Sequence, residues 1–372
     1  MTSAKLRVAI IHDLLVSYGG SEQVLLDLHQ MFPDAPIYTT VFDRSRLPSR
    51  FASLAVRSSF LQRVPTLSRN YAAMVPMMPL AFKSFDLRGY DLVLSSAHAF
   101  SKAVNVPTGA LHICYCYTPL RYAWSHQEEY LAGLPMRAVL DPLARMVLAG
   151  LRKWDYAAAQ RVDRFIAISK NVRDRITRYY GQDSDVVYPA VNLSRFRAAA
   201  GPEQTYDSFL AVSRLFSYKR VDAAVEACTR LRLPLKVIGR GPELARLRDN
   251  AGPTVRFLGE VDDQTLEAEY RRCRALLFTS DEDFGLVPLE AMASGRPVLA
   301  LNRGGARETV VAGVTGEFYE DAGVEALIQA LQVFKPDGFD PRACRQRAEE
   351  FSVERFRCGI ETVIKRELGR DV

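Results

Sequence analysis

Short apolar runs rich in β-branched residues alternate along this chain with segments of 3.6-residue hydrophobic period, and that alternation restricts the fold more than any other feature. Parallel strands need a long crossover between them, usually a helix, so strand–turn–helix repeated many times predicts an α/β protein. The expected strands are Val8–His12, Ile37–Val41, Leu92–Ser95, His112–Tyr115, Phe165–Ile168 and Val186–Tyr188, then Phe209–Val212, Leu235–Ile238, Val255–Phe257, Ala275–Thr279 and Val298–Leu301. Each is followed by a polar or glycine-containing turn and a helical pattern, such as Gln23–Met31, Val221–Leu231 or Leu266–Arg272. At 372 residues the chain is long enough for about two domains, and two doubly wound, Rossmann-like sheets fit the pattern better than one. Weak periodicity and turn chemistry around Ala198-Ala199-Ala200-Gly201-Pro202 put a linker at 191–207, between domains at 1–190 and 208–352.

The longest nearly unbroken apolar run, Tyr71 to Phe82, is 12 residues long and carries Pro76 and Pro79, short of the roughly 20 residues a membrane helix needs. Val8 follows a short polar start with no apolar leader before it, so a cytoplasmic protein is expected. The six cysteines, Cys114, Cys116, Cys228, Cys273, Cys344 and Cys358, form no CxxC pair and read as reduced, buried small hydrophobes. Charge is split unevenly: residues 1–190 hold 22 basic against 15 acidic side chains, the remainder 27 against 28, and all five histidines lie in the first part. The basic half is therefore expected to face phosphates or an anionic membrane surface. Residues 44–88 are the extreme case, with Arg44, Arg46, Arg50, Arg57, Arg63, Arg69, Lys83 and Arg88 against Asp86 alone. Phe51, Phe60, Leu61, Met74, Met77, Met78 and Phe82 are interleaved there, as core packing or as a membrane-docking surface.

In open α/β sheets ligands bind beyond the carboxyl ends of strands. The first such loop, Ser17-Tyr18-Gly19-Gly20-Ser21-Glu22, is either a tight turn or a phosphate seat in which Gly19 and Gly20 let backbone N–H groups approach the ligand. It lacks the GxGxxG of nicotinamide enzymes. Arg214 and Lys219 flank the turn after Phe209–Val212, either as solvated cations or converging as a diphosphate clamp. Val237-Ile238-Gly239-Arg240-Gly241-Pro242-Glu243 repeats the strand–glycine loop–helix arrangement. The most specific string runs from Thr279 to Gly295. Glu282 leaves the strand there, Glu290 falls in the first turn of a helix begun by Pro288 and ended by Gly295, and the N–H groups of Gly285, Leu286 and Val287 point towards an anion. Carboxylates accept from vicinal hydroxyls, so an acid at each edge of such a nest suits a sugar and a ribose flanking a diphosphate. Asp281-x-Asp283 and Asp183-x-Asp185 also spell a metal-binding DxD.

Glu282-x7-Glu290, Arg214…Lys219, Gly239-x-Gly241-Pro242-Glu243, the Gly19-Gly20 loop and Arg303-Gly304-Gly305-Ala306-x-Glu308 together resemble the retaining GT-B glycosyltransferases of family four, over nearly the whole chain. His98 and the run from His112 to Trp124 are similar to bacterial mannosyltransferases that build O-antigens and exopolysaccharides, which carry a histidine where Tyr117 stands. The resemblance implies two Rossmann-like domains facing across a cleft, with a final helix near 353–372 returning to the first. It implies Arg214 and Lys219 on the donor diphosphate, Glu282 on the donor sugar, Glu290 on the ribose and Val261 on the base. Gly19, Gly20, Gly239, Phe284, Gly285, Leu286 and Val287 would line the donor site. His98 would reach the sugar from the other domain, and Tyr117, Arg121 and Trp124 would meet the acceptor. The implied donor is a nucleotide sugar, GDP-mannose, or a UDP-sugar in the alternative. The implied acceptor is a polyprenyl-diphosphate-linked oligosaccharide at the inner face of the cytoplasmic membrane, with no obligatory metal, no other cofactor and no nucleic acid. A GT-B sugar-nucleotide epimerase would share the nest but release free sugar without an acceptor, and a non-catalytic assembly subunit would have lost the site residues that this chain keeps.

Overall fold

A computed structural model of the chain describes residues 6–64, 75–125, 127, 137–196 and 207–369. Arg69, Met74, His126 and the 197–206 part of the expected linker lie outside the described residues. Two compact units emerge: one runs to Tyr188 and takes the chain up again from Arg357, the other spans Pro189–Phe356.

The first unit is built on seven parallel strands, β1 (Val8–His12), β2 (Ile37–Thr39), β3 (Val56–Ser58), β4 (Leu92–Ala97), β5 (Leu111–Cys116), β6 (Arg164–Ala167) and β7 (Ser184–Val186). Their order is β3-β2-β1-β4-β5-β6-β7. β1 and β4 are buried along their whole length, as strands covered on both faces must be. The connections hold α1 (Gly20–Met31), α2 (Met78–Lys83), α3 (Arg121–Trp124), α4 (Arg137–Ala159) and α5 (Lys170–Tyr180).

The second unit carries β8 (Ser208–Val212), β9 (Leu235–Ile238), β10 (Val255–Gly259), β11 (Cys273–Phe278), β12 (Val298–Leu301) and β13 (Gly316–Tyr319), ordered β10-β9-β8-β11-β12-β13. Its helices are α6 (Val221–Arg230), α7 (Leu244–Asp249), α8 (Asp263–Arg272), α9 (Leu286–Ala293), α10 (Ala306–Thr309), α11 (Val324–Val333) and α12 (Pro341–Glu349). A last helix, α13 (Val353–Leu368), starts in this unit and from Arg357 counts with the first. There Arg366 grips Asp185 through Nη1 at 3.0 Å and Nη2 at 2.5 Å, and Arg164 Nε adds a bond of 2.7 Å. The second Asp-x-Asp of the sequence is thus engaged by arginines, which hold the Asp185 carboxyl down at about 2, Arg366 foremost.

Two doubly wound parallel sheets are what the sequence predicts, with differences at the margins. β3 and β13 are additional edge strands, and β7 lies two residues earlier than expected. The domain boundary also moves: residues 191–196 belong to the second unit, where Val191 N–H donates to Phe351 O (2.9 Å) and Arg345 to Leu193 O (3.0 Å). In the stretch 44–88, Phe51, Leu61, Met78 and Phe82 are core residues, whereas Phe60, Met77 and Leu80 are exposed. Five cysteines are buried and Cys358 is exposed.

Candidate active site

In each sheet the order reverses beside the first strand of the unit, between β1 and β4 and between β8 and β11. Crevices at such switch points are where open α/β sheets bind ligands. Beyond β8 the chain runs through Arg214, which is exposed, to a turn at Ser217–Lys219. Glycines set that exit. A Cβ on Gly239 would lie 1.8 Å from Ser213 O and one on Gly241 would lie 2.3 Å from Leu215 O, so the β9 loop can hug the β8 exit only without side chains there. Beyond β11, Thr279 Oγ1 donates to Lys219 O (3.0 Å) and Lys219 Nζ donates to Glu282 Oε1 (2.5 Å). Ser280 Oγ donates to the same carboxylate oxygen at 2.9 Å. Lys219 and Glu282 are 12% and 20% exposed, so this charge-assisted pair is shielded yet reachable. The sequence pairs Lys219 with Arg214; the structure turns its ammonium to Glu282.

The loop after Glu282 is held down by the turn after β12. Gly305 N–H donates to Glu282 O (2.8 Å), and Cβ atoms on Gly304 and Gly305 would lie 2.2 Å from Glu282 O and from Phe284 Cα. α9 begins at Leu286 rather than at Pro288, with Gly285 at φ +84° as its cap and no side-chain cap, so its first N–H groups face outward from Gly285, Leu286 and Val287. Glu290 therefore sits in the second turn. Burial pushes its carboxyl above the usual range, and Tyr270 of α8, fully buried, donates its hydroxyl to Oε2 at 2.6 Å. Phe284 is buried against Phe351, and Val261 lies half-buried between β10 and α8. Asp281 is exposed while Asp283 is buried, so the two acids of the first DxD have different surroundings.

At the other switch point, register pairs His12 of β1 with Ser96 of β4. His12 Nδ1 lies 3.0 Å from Ser96 Oγ, and His12 Nε2 lies 3.4 Å from Glu22 Oε1. Burial would raise the Glu22 carboxyl, but His12 holds it below the usual range. Gly19 and Gly20 open α1 directly above this carboxylate, which a Cβ on Gly19 would approach to 3.3 Å. Tyr117 is buried, its hydroxyl bonded to Ser96 Oγ (2.9 Å) and to Ser21 O (3.0 Å). His98, just past β4, is partly exposed and lies beside Asp13, which is 2% exposed. Trp124 gives its indole N–H to Asp155 (2.8 Å) and stacks on Tyr179, and Arg121 is half-buried on the same short helix. Asp155 is also paired with Lys102 at 2.5 Å, both fully buried. His12, Asp13, Glu22, Ser96 and Tyr270 are thus added to the residues the sequence singles out.

Residues 18–195 match the family model for Glycosyltransferase Family 4, and residues 194–351 match the model for Glycosyl transferases group 1. Glycogen synthase of Mycobacterium tuberculosis is 32% identical over 232 residues, 58% of this chain, and the chain spans only about half (54%) of that relative's length. The alpha-1,3/1,6-mannosyltransferase of Saccharomyces cerevisiae is 22% identical over 84% of this chain and 73% of its own. Among solved structures, sucrose-phosphate synthase of Thermosynechococcus elongatus superposes with a TM-score of 0.75 at 18% identity, covering 97% of this chain and 99% of that one. Anabaena HepE in complex with UDP superposes at 0.70 and 17% identity, covering 97% and 100%. With the paired Rossmann-like sheets of the GT-B fold and family models matched across 18–351, the chain belongs to the group 1, family 4 glycosyltransferases.

Proposed function

We propose that this chain is a retaining hexosyltransferase that carries mannose from GDP-mannose to a polyprenyl-diphosphate-linked glycan in bacterial surface polysaccharide synthesis. The Lys219–Glu282–Ser280 contact at the β8–β11 switch point carries this reading, because it sets a cation and a hydroxyl acceptor at one spot beside the uncapped start of α9. Lys219 and Arg214 take the donor diphosphate, Glu282 the hydroxyls of the sugar, Glu290 the ribose and Val261 the base. His98 contacts the transferred sugar. As the bond between the anomeric carbon and the phosphate oxygen breaks, negative charge grows on the leaving diphosphate and the two cations stabilise it, the electrostatic term that usually dominates such catalysis. The acceptor hydroxyl attacks the same face, and its proton passes to the departing phosphate. The yeast relative, a mannosyltransferase, supports mannose as the sugar. The UDP and UDP-glucose complexes of HepE support the second reading, a UDP-sugar donor.

The acceptor is lipid-linked, and the basic segment 44–88 holds the enzyme at the inner face of the cytoplasmic membrane. Exposed Arg44, Arg46 and Arg63 with exposed Phe60, Met77 and Leu80 support this peripheral contact, and among the described residues no helix is long and apolar enough to cross a membrane. A thermal-shift panel of nucleotide sugars tests the donor: a ligand at 100 times its Kd adds about 2.7 kcal/mol. GDP-mannose is expected to shift the transition, whereas a shift with UDP-sugars alone would select the second reading. Transfer should survive EDTA, since the cations already serve the phosphates; a strict Mn²⁺ or Mg²⁺ requirement would sink the metal-free mechanism.

A further inference from the structure

Asp13, the residue after β1, has both carboxylate oxygens occupied by a single turn. Oδ2 accepts from the N–H groups of His98 (2.7 Å) and Ala99 (2.9 Å), and Oδ1 from those of Phe100 (2.6 Å) and Ser101 (2.7 Å). Four consecutive amides thus converge on one buried side chain, and Thr39 and Thr40 of the neighbouring strand end fix its backbone carbonyl at 3.3 and 2.8 Å. Burial alone would raise the Asp13 carboxyl; His98, His12 and these amides hold it below the usual carboxylate range. The imidazole of His98 turns back on the same group: Nδ1 is buried without a hydrogen-bond partner among the described residues, and the charged oxygen beside it is Asp13 Oδ2, 3.3 Å away and outside hydrogen-bond alignment. The other groups facing the ring are His12 and Tyr117, with centroids 6.1 and 6.4 Å away, and Glu22 behind His12. Lys102 lies beyond the turn, its Nζ on Ala99 O at 2.7 Å.

We propose that Asp13 is the positioning residue of His98: it shapes the 98–101 turn and keeps the imidazole proton on Nδ1, so that Nε2 is presented as a hydrogen-bond acceptor for a hydroxyl of the transferred sugar. An imidazole tautomer is set by the partner of its other nitrogen, and a carboxylate at Nδ1 selects the Nδ1–H form. A merely structural aspartate would need the amides but not the ring. The part concerning substrate rests on the reading of His98 as a donor contact; the hold of Asp13 on the ring does not.

Long-range proton–nitrogen spectra of the full chain labelled in histidine, with His98 identified by its loss in His98→Gln, test the tautomer without any substrate. The wild-type protein should show His98 protonated on Nδ1, and folded Asp13→Asn should move that proton to Nε2. A wild-type His98 protonated on Nε2, or an unchanged tautomer in Asp13→Asn, would overturn the proposal, and the wild-type spectrum decides even if the variant fails to fold. Release of GDP from GDP-mannose should fall on the order of 10²-fold in Asp13→Asn, the scale of a misplaced acid–base or hydrogen-bonding group, with KM moving far less. If His98→Gln keeps its turnover while the wild-type tautomer is as expected, His98 leaves the reaction and the hold of Asp13 on it stands.

Discussion

Asp27 on α1 is 4% exposed, with Gln23 Nε2 donating to it at 3.2 Å. Burial pushes its carboxyl up to about 6 against the opposing pull of Gln23, Arg357 and Arg50. Between the ordinary aspartate value and that one, the folded chain keeps a proton that the unfolded chain has lost. Stability is therefore expected to fall as pH rises from about 4 to about 6 and to stay flat above, by about 2–3 kcal/mol for this group. Asp27→Asn should abolish that slope in urea unfolding and be the more stable protein above about pH 7; an unchanged slope would mean that other groups set it. At the proposed donor site, Lys219→Ala should cost on the order of 10²-fold in turnover with the fold intact, the scale of removing one preorganised electrostatic donor. Near wild-type rates at saturating donor would remove Lys219 from the clamp. Glu282, Glu290 and Lys219 were legible in the sequence because each sits a few positions from a strand exit or a glycine. His12, Asp13 and Ser96 were not: their meeting depends on β1 lying beside β4, and the partners are 84 or more positions apart. Tyr270 was hidden likewise, reaching Glu290 from a separate helix.

The strands that face the core on both sides were readable as apolar runs, as was the edge strand β10, but the edge strands β3 and β13 were not. β3 is half-buried to exposed along Val56–Ser58 and lies inside the basic stretch, so nothing in its composition stands out from a loop. β13 starts on Gly316, where a Cβ would lie 1.9 Å from Val298 O: the close approach that brings this edge against β12 also removes the side chain that would have marked a strand. The early start of α9 has a comparable cause, since Pro288 is tolerated anywhere in a first turn and the break is made by Gly285 at its positive φ. The β12–α10 turn gives the prediction at this level. Gly305→Ala would drive a methyl into the backbone of Phe284 and so lift the Glu282 loop, and it is expected to cost about 1–3 kcal/mol, as overpacking does. Thermal unfolding and donor KM should worsen together; a variant with wild-type stability and KM would show that the loop does not depend on this contact.

Over the whole chain, the excess of basic over acidic side chains lies in residues 1–190, and it leads to the membrane prediction. Basic side chains near an anionic leaflet contribute about 1 kcal/mol each, so four of them would give about 4 kcal/mol, enough for reversible docking when exposed Leu80 or Met77 also inserts. Co-sedimentation with vesicles should require anionic lipid and weaken with salt. Equal binding to neutral vesicles, or undiminished binding when Arg44, Arg46 and Arg63 are all changed to Glu, would take this role from the segment. The route of the chain has a further consequence through α13, whose later turns count with the first unit although they follow the whole second unit in sequence. A ribosome adding roughly 5–20 residues per second needs on the order of 10 s to translate everything between Tyr188 and Arg357. Throughout that interval Asp185 waits on the nascent chain for Arg366. The unit encoded second, contiguous in sequence, is thus the first whose residues are all available to fold.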